Sequence, residues 1–113
     1  MKHLHIATAL LTALNVTAAL AEVTEQEAIQ SQVGSVMASA DYAARKCPNL
    51  HIDQARLQAL IKRSGMSAEA LRRGEDYAEQ RDVLESLGKS EQAAMLCSVL
   101  SSAHGGYARG IIE

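Results

Sequence analysis

The stretch KCPNLHID, residues 46–53, sets a cysteine against a proline and follows them with His51 and Asp53. Upstream of it Ile29, Val33, Val36, Ala40, Ala43 and Cys47 recur at three- and four-residue steps, the spacing of one helical face. Cys47 is therefore the last core-facing residue of a first helix. Pro48 ends that helix, because its ring disfavours helical geometry in the residue before it. The start is marked by Thr24-Glu25-Gln26-Glu27, a capping box with Thr24 at the N-cap and Glu27 at the third helical position. Downstream, Asp53 caps a second helix, with Ile52 and Leu57 as the hydrophobic staple around the cap. Leu60 and Ile61 carry the stripe on to a Ser64-Gly65 stop.

The same device repeats further along. Ser67 caps a third helix, with Met66 and Leu71 as the staple pair, and the pattern predicts that it runs to Leu87, with Gly88 as its terminator. Its middle, LRRGEDYAEQRD, suits a solvated face on which Arg72 pairs with Asp76 and Arg81 with Glu85, each four residues apart. Gly74 weakens this helix or lets another backbone come close. Ser90 caps a fourth helix, EQAAMLCSVLSSAH, which is apolar or small almost all round and so is expected at the centre. Gly105-Gly106 stops it, and the tail YARGIIE brings Ile111 and Ile112 back for packing. The sequence has no internal repeat, no low-complexity segment and no strand-length alternation. Four helices with short connections predict an all-α fold, a small four-helix bundle.

The N-terminus, MKHLHIATALLTALNVTAALAEV, reads differently. Lys2, an apolar run from Leu4 to Leu14 and the closing Ala19-Leu20-Ala21 have the form of a signal peptide cleaved between Ala21 and Glu22. Asn15 and several threonines dilute the run, which is short against the ~20 apolar residues of a bilayer span. The expectation is a bacterial export substrate, periplasmic or secreted, whose single helical domain is residues 22–113. Without Lys2, the 11 Lys and Arg fall to 10 against 13 Asp and Glu, a net charge of −3. That balance supplies no electrostatic footprint for nucleic acid and no basic cluster for a membrane surface after cleavage. With no Trp or Phe and 3 Tyr, the core must come from Leu, Ile, Val, Met and Ala. Aromatics usually supply the largest buried areas, so such a core profits from a covalent staple.

Two cysteines in an exported chain predict a Cys47–Cys97 disulfide. If the first and fourth helices are antiparallel, Cys47 at the end of one meets Cys97 in the early turns of the other. Leu100 then lies near Ala43 and Ala44, and His104 near Ala40 and Met37. Cys47, His51, Cys97 and His104 are also a chemically suitable zinc set. Cys97 and His104, however, stand about 10 Å apart along one helix. His51 is more simply an exposed loop residue, and His104 a helix-terminal residue set against the dipole. Met37, Met66 and Met95 fall on or beside apolar stripes, as core-filling residues do. Neither a Cys-x-x-Cys at a helix start nor a G-x-S-x-G elbow occurs, and no cofactor motif is present. Nothing in the chain specifies a catalytic site.

In architecture alone the chain is similar to the small acid-stress chaperones of the periplasm, which are short, helical and held by one long-loop disulfide. The residues around its cysteines depart from that family's motifs, so the resemblance carries over no site residue. The expectation is a non-catalytic exported protein that binds another protein through an exposed helix face, chaperone-like in its specific version, as a monomer or homodimer. The alternative is a metal or small-ligand carrier using His51, His104 and the methionines.

Overall fold

The structure, a computed structural model, describes residues 23–113; the expected cleavage site between Ala21 and Glu22 lies outside the described residues. Its axis is α1, Glu25–Lys46. Thr24 caps it as the sequence predicts, its side chain accepting from the Glu27 N–H at 3.1 Å. The Cys47 N–H still reaches the Ala43 carbonyl at 2.8 Å before Pro48 turns the chain away. Helix α1 buries residues on several sides, from Ile29 and Val33 through Val36, Met37, Ser39 and Ala40 to Ala43. It is the central helix, and its length allows every other element to pack along it.

Helix α2, Gln54–Ser64, runs back antiparallel to α1. Asp53 caps it by accepting from the Arg56 N–H at 3.0 Å, and Gly65 closes it in the left-handed conformation, φ 74°. The Gln30 amide donates to the Ser64 carbonyl at 2.9 Å and Gln26 donates to the same oxygen, tying the end of α2 to the start of α1.

The expected third helix is two helices, α3, Ala68–Arg72, and α4, Glu75–Gly88. Gly74 stands between them in extended geometry (φ −80°, ψ 165°) as the N-cap of α4. Two anchors require the break: Leu71 is buried in the core, while α4 must turn to run along α1. Of the two roles expected for Gly74, the weakening of the helix is the one seen; a close approach occurs at Gly34 instead. A Cβ there would stand 3.1 Å from Asp76 Cβ. The charges also pair otherwise than predicted. Arg72 reaches past Asp76 to grip Asp41 of α1 at 3.1 and 3.3 Å, and the Tyr77 hydroxyl donates to the same carboxylate at 2.6 Å. Arg81 takes Asp82, not Glu85, at 3.2 Å.

Helix α5, Ala93–Leu100, is shorter than expected and is not central. Ser90 builds a turn instead of a helix cap, donating to the Leu87 carbonyl and accepting from the Gln92 N–H. Leu96 and Leu100 are buried, whereas Met95 and Val99 face outward. The helix stops at Leu100, and the chain reaches His104 as an irregular segment before a short 3-10 turn, Gly106–Ala108. Its apolar circumference reflects one face in the core and another left exposed.

The core has two parts. Ile29, Val33, Val36 and Met37 pack with Leu57, Leu60, Leu71 and Ile111; Ala43 and Cys47 pack with Leu84, Leu96 and Leu100. The Cys47–Cys97 disulfide is formed, with a Cα separation of 5.6 Å, and α5 runs antiparallel to α1 as expected. The tail does pack back. Ile112 bridges Ile52 in antiparallel fashion, flanked by His51 N–H to the Glu113 carbonyl at 2.6 Å and Glu113 N–H to the His51 carbonyl at 2.9 Å. The architecture is a four-helix bundle with α3 as an extra turn. Among the described residues no helix is long and apolar enough to cross a membrane.

Candidate functional site

Helix α4 contributes Val83 and Leu87, one turn apart, and α5 contributes Met95 and Val99 at the same spacing. Val83 is 51% exposed, Val99 50% and Met95 63%. A hollow of about 170 Å³ between the helices is lined by Leu87, Gln92, Met95, Leu96 and Val99. The serines of α5 and its end add few free donors to this side. Ser98, Ser101 and Ser102 donate to the carbonyls of Met95, Ser98 and Val99 at 2.8, 2.9 and 3.3 Å. Local bonds of this kind satisfy the hydroxyls within the chain. Each Val or Met side chain gains about 1.5–3 kcal/mol on full burial. The face therefore favours an apolar occupant.

The disulfide borders the other flank of α5. Cys47 is buried and Cys97 half-buried, and both line an open hollow of about 320 Å³ with Pro48, Leu50 and Ala94. With both thiols bonded, neither cysteine serves as nucleophile or thiolate ligand in the oxidised protein. The bond fixes which side of α5 faces outward.

Two polar clusters lie deeper. His104 Nε2 stands 2.7 Å from Ser39 Oγ, and the Gln80 amide donates to the same oxygen at 3.0 Å. A serine–histidine contact invites comparison with a nucleophile and its base. Ser39, however, is fully buried in the middle of α1, where a substrate has no approach. Burial lowers the His104 pKa from its ordinary value, so the neutral ring is favoured. This cluster ties the segment after α5 to α1 and α4. The Asp41–Arg72–Tyr77 cluster joins α1, α3 and α4 in the same way; the Asp41 carboxylate raises the Arg72 pKa, and burial raises that of Tyr77.

The donors weighed for a metal do not converge. His51 is exposed beside the tail and His104 is bonded to Ser39. Met37 is fully buried, Met66 borders a hollow with Gln30 and Gly34, and Met95 lies on the α4–α5 face. Among the described residues no group of three or more His, Cys, Asp and Glu side chains is placed to hold a metal ion. Met66 and Met95 are thus not the core residues their spacing suggested. Val83 and Val99 were not singled out from the sequence, although apolar pairs four apart on successive helices carry the signal; Leu87 was expected as the last residue of the third helix. No protein-family model, curated protein or solved structure matches the chain.

Proposed function

We propose that this chain is a non-catalytic, exported helical protein that binds another protein through the α4–α5 face, engaging exposed apolar segments of loosened proteins as a chaperone does. The carrying observation is the outward placement of Val83, Met95 and Val99 beside the partly buried Leu87. Methionine adds adaptability, since its unbranched thioether conforms to irregular apolar partners. Export of the chain, with removal of residues 1–21, accords with the disulfide and places the protein where unfolding stress is met without ATP. A Glu22 start and a mass 2 Da below the reduced form are expected for the exported protein; retention of residues 1–21 would remove the basis for periplasmic or secreted placement.

The test is suppression of aggregation of an acid-unfolded client by the oxidised protein. The paired substitution Met95→Gln and Val99→Gln keeps good helix propensity on exposed positions, and its melting temperature is expected to change little. Suppression should fall sharply. Undiminished suppression would overturn the assignment to this face, and no suppression by the native protein would overturn the chaperone function itself.

A further inference from the structure

On elements that form no part of the α4–α5 face, Arg56, Arg63, Tyr107 and Arg109 surround a hollow of about 190 Å³ whose wall also includes Ala59 and Leu60. Arg56 and Arg63 stand seven residues apart, two turns along one side of α2. Leu60 between them is buried and forms the floor. The tail supplies the opposite wall, and it is held firmly. Gln32 donates to the Gly105 carbonyl at 2.6 Å and accepts from the Tyr107 N–H at 3.2 Å, while the Ile52–Ile112 bridge secures the far end.

The guanidinium groups are themselves positioned. Arg63 lies over the Tyr107 ring, 5.1 Å from its centroid. Arg56 Nη1 donates to the Arg109 carbonyl at 3.3 Å. Two acids are engaged nearby, each through one guanidinium contact at 3.3 Å: Asp53, which also caps α2 through the Arg56 N–H, with Arg56 Nε, and Glu25 with Arg63 Nη2. Exposed pairs of this kind contribute only about 0–1 kcal/mol and exchange readily for a stronger partner. The Arg109 side chain makes no ion pair or hydrogen bond among the described residues. A guanidinium carries five N–H donors, so most of the donors around this hollow are unengaged. Three like charges gathered on one rigid concavity favour a multivalent anion, and planar guanidinium forks match tetrahedral oxyanions.

We infer that the Arg56–Arg63–Arg109 hollow binds a phosphoryl group, carried by a small free phosphate compound or by a phospholipid headgroup. All three arginines line the one hollow, and Arg109 is the arm free to close on its occupant.

Pyrophosphate titrated into the oxidised, ¹⁵N-labelled protein at constant ionic strength tests this through the arginine Nε–H resonances. Saturable shifts of Arg56, Arg63 and Arg109, with Arg72 and Arg81 unmoved, are expected. Arg109→Ala should weaken binding at least about tenfold, the effect of losing one charge-assisted hydrogen bond, and Arg109→Lys should restore only part of it. Vesicles of phosphatidylcholine with phosphatidic acid form the second arm. Co-sedimentation that depends on Arg109, without pyrophosphate binding, assigns the site to a lipid headgroup; saturable pyrophosphate binding assigns it to a free compound. Shifts reproduced by sodium chloride at the same ionic strength, affinity indifferent to Arg109→Ala, or binding in neither arm would overturn the inference.

Discussion

His104 is half-buried, and its neutral form is favoured because burial penalises the imidazolium. Its pKa in the folded protein therefore lies below that of the unfolded chain. Near those two values the unfolded state binds more protons, so this group makes stability rise with pH. Its contribution is complete above the unfolded value of about 6.5 and is lost as the pH falls through the folded value. Denaturant titrations at pH 7.5 and pH 5.5 should show a smaller loss of stability for His104→Gln than for the native protein; equal losses would mean that His104 is not the titrating group. Acid thus weakens the hold of the 101–104 segment on Ser39, next to the α5 face proposed to bind clients. A second residue carries a different constraint. Gly110 has φ 79°, and a Cβ there would stand 2.8 Å from Arg56 Nη1. Gly110→Ala should cost about 1–2 kcal/mol for the left-handed backbone alone and should shift the Arg56 Nε–H resonance. Loss of stability without movement of Arg56 would separate the turn from the arginine hollow.

At the scale of elements, the weak point is the α3–α4 junction. Helix α3 has 5 residues and one buried side chain, Leu71, and Gly74 caps α4 with no side-chain hydrogen bond. Few buried contacts mean a low opening energy. Amide exchange should be faster around Gly74 than in the Val33–Ala43 stretch of α1, and equal protection would contradict this. Here the limits of sequence become visible. Thr24, Asp53, Ser67 and Gly65 were legible because capping is chemistry between residues a few positions apart. Gly74 was legible as a weak point but the full break there was not, because it follows from α4 turning onto α1 at Gly34, a contact between distant segments. For the same reason the charges four apart on one helix found other partners: Asp41, 31 residues away in sequence, offered Arg72 two oxygens. The uniformly apolar α5 could not reveal from composition which side would be left uncovered. The candidate face therefore became evident only once Cys97 had oriented that helix.

For the whole molecule, the disulfide joins the two core clusters' shared axis to α5 across a separation of 50 residues. Closing such a loop is worth roughly 4 kcal/mol in the chain-entropy model, a large part of the ~5–15 kcal/mol typical of a domain. Cys47→Ala and Cys97→Ala should each lower the melting temperature substantially. The double substitution should lose little more than either single one, since both remove the same bond. Strictly additive losses would show the cysteines acting as separate core residues.

The return of the tail sets the order in which this chain becomes a protein. Ile111 and Ile112 complete the packing around Leu57 and Leu60, and the pairing of residues 51–53 with 111–113 closes the α2 side of the bundle. A chain still lacking those residues at the ribosome exit has α1 and α2 but no lid over their apolar seam. It stays open until synthesis has passed Ile112, and contacts so far apart in sequence form slowly once it has. Only when both ends of the seam are present can the α2 side of the bundle close.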